Sequence, residues 1–119
     1  MKGTWTGTGE AIVDGATTHH PAEAASRPAG KYRLREETFT WRIEGQDGRR
    51  FWGTTSSDQK AGLRLMGSLS MDGKRLYMAG GKDGYIDAVM IDADTINACH
   101  RNVDPGSATV GCSVLKRQK

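Results

Sequence analysis

Turn signals recur along this chain at almost regular intervals, and they constrain its fold more than any other feature. Asp-Gly, Asp-Ala-Asp or Asp-Pro-Gly segments stand at 47–48, 72–73, 83–84, 92–94 and 104–106, the last four about 11 residues apart. Asp-Gly between alternating apolar residues is a strong hairpin signal, because tight hairpin turns need positive φ, which Gly tolerates. The spacing therefore predicts a meander of short antiparallel strands.

The segments between these turns predict eight strands. The clearest alternation lies late in the second one, where Phe39, Trp41 and Ile43 share a face. The charged run 33–37 before it predicts a bulge or bend. No segment shows an apolar stripe at helical spacing. The predicted strands are Gly3–Val13, Lys31–Glu44, Arg49–Ser57, Leu63–Met71, Lys74–Gly80, Gly84–Ile91, Thr95–Asn102 and Ala108–Arg117.

A meander of eight strands leaves two raw sheet edges unless it closes on itself. Closure predicts an all-β fold, an eight-stranded antiparallel up-and-down barrel that forms one domain over residues 1–119. Its interior either is filled by side chains or holds one small ligand. The stretch Asp14–Ala29 breaks the regular spacing, and a loop of this length predicts a lid or a binding loop.

Composition excludes several classes of function. The net charge is only +3, and the basic cluster Lys116, Arg117 and Lys119 has no aromatic interleaving, so we interpret it as a solvated tail and expect no nucleic-acid partner. No run of about 18 apolar residues predicts a membrane span. The chain passes from Met1-Lys2 directly into the first strand, so we expect that an export signal has been removed from a periplasmic or secreted bacterial protein.

The two cysteines, Cys99 and Cys112, flank the turn at 104–106. A simple hairpin places them opposite each other, near disulfide range, which favours an oxidising compartment. However, Cys112 shares its face with valines, whereas Cys99 shares its face with Asn97 and Arg101. Two alternatives follow: a disulfide whose register is adjusted by a bulge, or two separate thiols.

Short motifs resemble the calycins, the superfamily of lipocalins, fatty-acid-binding proteins and avidins. Gly3-Thr4-Trp5 is similar to the Gly-x-Trp signature of their first strand. The resemblance implies that Trp5 closes one end of the barrel and that Lys116 or Arg117 packs across it. The short length and the Phe51-Trp52-Gly53 step most resemble the avidin–streptavidin branch, and the pattern over 41–53 resembles small bacterial proteins related to it. This branch implies a homodimer or a higher homo-oligomer.

The biotin site of the avidins does not carry over to this chain. Avidins surround the ureido group with polar residues of the early strands, for which only Thr8 and Tyr32 are available here. No tryptophan follows Trp52, so the aromatic walls supplied by later strands are missing. We therefore do not expect biotin as the natural ligand.

The residues that we expect to line a ligand cavity lie on several strands. Trp41 and Phe51 stand either side of a tight turn and form an aromatic wall or ordinary core. Trp52 has the opposite parity, which predicts an outward side chain and a subunit interface. The sixth strand is apolar almost throughout, so its inward face cannot be read from the pattern. The cavity assignment comprises Trp41, Phe51, Leu65, Met78, Tyr85 and His100.

The positions of the histidines and carboxylates in the sequence give little support for metal binding or acid–base catalysis. His19 and His20 are adjacent and point to opposite sides of an extended chain, so with His100 they do not predict a metal site, and we expect no cofactor. We interpret His100 as a buried histidine whose ring nitrogens have hydrogen-bond partners, rather than as a catalytic base. Acid–base candidates are restricted to inward carboxylates, for which we considered Glu44, Asp47 and Asp87.

Three functional hypotheses remain. The first is a non-enzymatic module that binds a small apolar or amphipathic molecule in the barrel. The second is a small-barrel enzyme, of isomerase or acid–base type, and the third is a structural or assembly module with a filled barrel. The volume and lining of the lumen distinguish them, since ligand pockets typically enclose about 300 Å³ or more.

Overall fold

The structure, a computed structural model, describes residues 1–15, 32–57, 60–81 and 84–119. Each strand pairs antiparallel with the next, and the last pairs with the first, so the sheet closes into a barrel. The predicted all-β, eight-stranded up-and-down barrel is therefore confirmed. The strands are β1 (Gly3–Gly15), β2 (Tyr32–Asp47), β3 (Arg50–Ser57), β4 (Lys60–Leu69), β5 (Arg75–Gly80), β6 (Gly84–Asp92), β7 (Thr95–Asp104) and β8 (Ser107–Arg117).

Tight turns make several strands longer than the sequence predicted. The β2–β3 connection has only two residues, Gly48 and Arg49, and Gly48 takes a positive φ of 61°. Two-residue loops at 93–94 and 105–106 join β6 to β7 and β7 to β8 in the same way. Asp14, expected in a loop, continues β1, whereas most of the predicted lid (16–29, with His19 and His20) lies outside the described residues.

The bulge expected in the run 33–37 is not there. Pairing of β1 with β2 runs without a shift from Gly3↔Ile43 to Asp14↔Tyr32. The shift lies instead in the β2–β3 pair, at Gly45. A Cβ at Gly45 would collide with the indole ring of Trp52, so the glycine lets that ring lie flat on the backbone.

The hydrophobic core fills one half of the barrel. Side chains alternate strictly along the strands, so one parity in each strand points inward. Six of the largest fully buried side chains belong to this core: Trp5, Phe51, Leu65, Leu76, Ile96 and Leu115. No helix in the described ranges is long and apolar enough to span a bilayer.

Candidate functional site

One end of the barrel is closed by Trp5. Its side chain is fully buried, and the indole Nε1 donates a hydrogen bond to the carbonyl of Met1 at 2.9 Å. The Arg117 guanidinium lies 4.3 Å above the indole ring, within the range of a cation–π interaction. Of the two basic residues expected across Trp5, the structure places Arg117 there.

Arg117 also ties three chain segments together around this closed end. Its Nη1 donates to the Lys2 carbonyl at 2.6 Å, its Nη2 to the Ala93 carbonyl at 3.1 Å, and its Nε to Asp94 Oδ1 at 3.0 Å. Each of the three guanidinium nitrogens donates to a different acceptor, which the planar fork of an arginine allows. This end of the barrel is therefore a fixed floor rather than an entrance.

Cys99 and Cys112 form a disulfide on the outer surface. They lie directly opposite each other in the β7–β8 pair, with Cα atoms 4.0 Å apart. No bulge is needed, because their neighbours also pair across the strands, Asn97 with Val114 and Arg101 with Val110. The outer face carries polar residues on β7 and valines on β8, so the two cysteines share one face although their neighbours in sequence differ.

The other half of the barrel contains a cavity of about 90 Å³. It lies at the end where β1 and β2 meet the undescribed segment 16–31, opposite the floor at Trp5. Its walls come from seven of the eight strands. The lining residues are Glu37, Phe39, Trp41, Thr55, Ser56, Ser57, Leu63, Gly80, Gly81, Gly84, Ile86, Ala98, His100, Asn102, Thr109 and Ser113.

Small residues on one wall create this space. Gly80 and Gly84 pair with each other across β5 and β6, and a Cβ at Gly84 would collide with the Gly80 carbonyl. A Cβ at Gly80 would also lie only 2.9 Å from Leu65 Cδ1. The backbones therefore approach too closely for side chains, and the lumen beside them stays empty.

The adjoining part of the wall, on β7 and β8, is polar although it is buried, and Gly84 pairs directly with Asn102 there. Asn102 of β7 and Thr109 of β8 are paired residues, each only 7% exposed, and Ser113 follows further down β8. Thr109 Oγ1 has no hydrogen-bond partner in the part of the chain that the structure describes. A buried hydroxyl without a partner costs about 1–3 kcal/mol, so this wall carries an energetic cost within the barrel.

Glu37 adds a carboxylate to the same wall. Gly9 of β1 lies between Glu37 and Ser113, and because it has no side chain the two polar groups face the lumen together. Arg35, two residues along β2, forms an ion pair with Glu37 through Nη2 and Oε1 at 3.0 Å, with both side chains about nine-tenths buried. This ion pair fixes a charged group at the wall of the cavity.

His100 crosses the lumen to meet the opposite side of the barrel. Its imidazole contacts Phe39 of β2 edge to face, with ring centroids 4.9 Å apart. The ring reaches across because Gly111, its partner on β8, leaves the wall open: a Cβ there would lie 2.6 Å from His100 Cε1. Gly111 therefore determines the position of the imidazole.

Replacing Gly111 with alanine is expected to displace the imidazole from Phe39 and to lower the free energy of unfolding by about 1–3 kcal/mol. The displacement is measured as the loss of the Phe39 ring-current shift on the His100 ring protons by NMR. Gly106→Ala is the control, because a Cβ there meets nothing within 4 Å. Unchanged His100 shifts in Gly111→Ala would contradict this account.

The structure divides the residues that the sequence assigned to the cavity. Trp41 and His100 line it. Phe51, Leu65 and Met78 are buried, but they belong to the core and are not among its lining residues. Tyr85 is a wrong assignment: its side chain is 60% exposed and lies 5.9 Å from the Arg101 guanidinium on the outer face. Ile86 points inward in its place.

The carboxylates considered for acid–base chemistry do not reach the lumen. Glu44 is exposed, Asp47 pairs with Arg50 at the β2–β3 turn, and Asp87 pairs with Arg101 at 2.9 Å on the outside. Among the described residues, no three His, Cys, Asp or Glu side chains are grouped to hold a metal ion.

Aspartates in turns accept hydrogen bonds from the local backbone. Asp72 accepts hydrogen bonds from Ser70 Oγ at 2.6 Å and from the Lys74 amide at 3.0 Å, and the Ser70 bond is the main cause of its lowered pKa. The backbone amide of Asp94 likewise lowers the pKa of Asp92. These groups stabilise turns and take no part in the cavity.

Sequence reasoning missed Glu37, Asn102, Thr109 and Ser113, although a signal was present for the first two. Glu37 has the parity of Phe39 and Trp41, which were expected to face inward. The other three share a face with His100 or with Gly111. Parity with His100 indicates an inward Asn102, whereas the apolar alternation of β8 favours Val110 and Val114 as inward residues. The inward placement of Thr109 and Ser113 follows only from the register with β7.

Comparison with known proteins adds nothing to the architecture described above. No protein-family model matches the chain, and no curated protein matches it. Among solved structures, the chain is similar to the S-type phycobiliprotein lyase CPES from Guillardia theta, with a TM-score of 0.48 and 12% identity over 99% of this chain and 88% of that one. The fold assignment rests on the strand pairing described above.

Proposed function

We propose that this protein binds one end of a small amphipathic molecule in the open half of its barrel. The observation that carries the proposal is the polar wall beside the cavity, above all the buried hydroxyl of Thr109, which has no partner among the residues that the structure describes. A ligand with hydrogen-bonding groups would satisfy this wall. The opposite half of the barrel, packed with apolar side chains, serves as the rigid support.

The polar wall counts against a barrel that is merely filled. Burying a polar group without a good partner is unfavourable, so a module built only for stability would carry apolar residues at these positions. Thr109 occupies such a position, because its hydroxyl is buried and has no partner among the described residues. Its side chain is better explained as a ligand contact.

The size of the cavity limits what it encloses. At about 90 Å³ it is well below the 300–1,000 Å³ typical of pockets for drug-sized ligands, and below the roughly 150 Å³ that accommodates benzene. We infer that only a terminal group of a few heavy atoms enters, while the remainder of the ligand lies outside the cavity. Apolar side chains from three strands, Trp41, Leu63 and Ile86, also line the cavity.

The proposal is tested by titrating the ¹⁵N-labelled protein with hexanamide, whose head both donates and accepts hydrogen bonds. Saturable amide shifts are expected at Asn102, Thr109 and Gly84. Thr109→Val should weaken binding about tenfold, corresponding to one lost hydrogen bond to a buried group. Thr54→Val, on the outer face, is the matched control and should bind normally.

Size selectivity gives a second readout. Adamantane-carboxamide has the same head on a body wider than the cavity, and it should cause no shifts at these residues. If neither amide shifts the lining residues, the filled structural module becomes the better description. If both bind equally, the ligand does not enter the lumen.

An acid–base enzyme is the second candidate, because Glu37 and His100 both line the cavity. Native mass spectrometry of protein isolated from its own host addresses this candidate directly. A molecule that copurifies unchanged supports binding alone. A molecule that the purified protein converts to a second species supports catalysis, and this conversion should then be lost in Glu37→Gln.

We also propose that the protein works in an oxidising compartment and is related to the avidin-like calycins. The Cys99–Cys112 disulfide supports the first proposal. The stacking of Arg117 on Trp5 supports the second, since the resemblance implied this pair. Labelling of both cysteines by a thiol-reactive dye in protein taken directly from cells would argue against export.

A further inference from the structure

Two apolar patches lie on opposite outer faces of the barrel. The first, called face A, is a row of directly paired residues on β2, β1 and β8: Leu34, Ile12 and Val110, of which Leu34 is 85% exposed. The charged residues Glu36 and Glu10 form the next outward row, two positions along the same strands. Face A therefore combines an apolar row with an acidic row.

The second patch, called face B, lies across β3–β6 on the far side of the barrel. Trp52 pairs with Met66, and Ala79 connects this pair to Tyr85 in the same row. The three large side chains are 49%, 56% and 60% exposed.

The charged row beside face B is basic. Arg64 lies two positions from Met66, and Thr54 separates it from Arg42. Both arginines are exposed, and neither forms an ion pair in the described part of the chain. Face B thus has the same layout as face A with the opposite charge.

The acidic row of face A is unfavourable within a single barrel. Glu10 and Glu36 are directly opposite each other in the β1–β2 pair, and like charges at such positions destabilise a sheet. Both are exposed, and neither has an ion-pair partner among the described residues. A cationic surface brought against this row would remove the repulsion.

Glu36→Lys is accordingly expected to raise the free energy of unfolding by about 0.2–1 kcal/mol, because it replaces a like-charge pair by an opposite-charge pair. Urea denaturation of dilute protein measures this change. Lys74→Glu, a charge reversal in the β4–β5 turn, is the control. A Glu36→Lys variant less stable than the native protein would show that the carboxylate has a stabilising contact.

We propose that face A of one copy binds face B of another, giving a head-to-tail contact. A two-fold dimer through face A alone would place Glu10 and Glu36 against the same residues of the second copy. One through face B alone would do the same with Arg42 and Arg64. Electrostatics disfavours both dimers, because like charges repel. Pairing A with B brings the acidic row against the basic row and the two apolar rows together. The outward side chain of Trp52 predicts a subunit interface, and the A–B contact places that interface on face B.

The two faces match in spacing as well as in charge. In each, the charged row lies two residues from the apolar row, which is about 7 Å along a strand. In face A the charged row is nearer the closed end, and in face B nearer the open end, so adjacent barrels would run antiparallel. Because the faces lie on opposite sides, each copy can bind two neighbours.

The contact is expected to be weak. At about half exposure, the three large side chains of face B offer roughly 300 Å² of apolar surface, less than half of the ~800 Å² per partner in a standard interface. Association should therefore appear at micromolar or higher concentrations and should weaken in 1 M salt, where charges are screened beyond about 3 Å.

Sedimentation velocity of the whole protein over a wide concentration range tests the contact. The mass should rise continuously beyond that of a dimer. Glu36→Lys and Arg64→Glu should each remain monomeric, whereas Lys74→Glu, on neither face, should associate normally. If only one of the two face variants loses association, the contact is a two-fold dimer through that face, and the proposal is wrong.

Mixing the two face variants is the decisive measurement. Glu36→Lys has an altered face A and a native face B, and Arg64→Glu has the reverse. In an equimolar mixture the two native faces can therefore bind each other, and so can the two altered faces, whose charges are exchanged. Association should return in the mixture, although each variant alone stays monomeric. A mixture that remains monomeric, or native protein that remains monomeric at millimolar concentration, would overturn the proposal. Neither result bears on hexanamide binding in the lumen.

Discussion

Replacing Trp5 with alanine is expected to lower the free energy of unfolding by about 3–5 kcal/mol. The fully buried indole closes one end of the barrel and supports the Arg117 guanidinium 4.3 Å above it. Removing it leaves a large void in the packed half and takes away the hydrogen bond to Met1. Chemical denaturation followed by far-ultraviolet circular dichroism measures the loss.

Trp52→Ala is the matched control for this prediction, because it removes the same side chain from the outer face. Trp52 is about half exposed and lies against the backbone at Gly45, so its loss creates no internal void. We expect less than half the cost of Trp5→Ala. Equal costs for the two variants would mean that Trp5 does not hold the closed end.

Breaking the Cys99–Cys112 disulfide is expected to lower the free energy of unfolding by about 3 kcal/mol. The bond closes a segment with a sequence separation of 13, and crosslinks of this span restrict the unfolded chain by about that amount. The measurement compares urea denaturation midpoints with and without dithiothreitol. The double variant Cys99→Ala/Cys112→Ala should match the reduced protein.

That double variant is also the control, because reductant should leave its midpoint unchanged. The disulfide joins β7 to β8 on the outside, directly behind His100 and Gly111 on the inside. Reduction is therefore expected to weaken hexanamide binding as well as stability. If dithiothreitol does not change the urea denaturation midpoint of the native protein, the disulfide does not restrict its unfolded state.

The inner lining was harder to predict than the strands, for a physical reason. Tyr85 was assigned to the lumen because β6 is apolar on both sides, so alternation carried no information there. Only the register with β5, where Ile86 pairs with buried Met78, decides that Tyr85 points outward. Glu37 was overlooked because a charged residue is rarely buried, although its parity with Phe39 indicated an inward side chain.

The division between core and cavity also needed the tertiary structure. Phe51, Leu65 and Met78 share the inward parity of Trp41, and sequence parity cannot tell the packed half from the open half. The tilt of the strands decides it, since residues paired across the sheet lie at different heights along the barrel axis. Close backbone approach at Gly80 and Gly84 then fixes where the lumen stays empty.

The sequence by itself determined the architecture, because evenly spaced turns specify hairpins along most of the chain, and a meander of eight strands leaves two raw edges unless it closes. Turn chemistry and alternation are local, and a reader of the chain can recover them. The tertiary structure alone decided which residues meet across the lumen, which charges lie opposite each other on the surface, and that the two cysteines are bonded. Those relations depend on register and strand tilt, which are set by packing between strands distant in sequence.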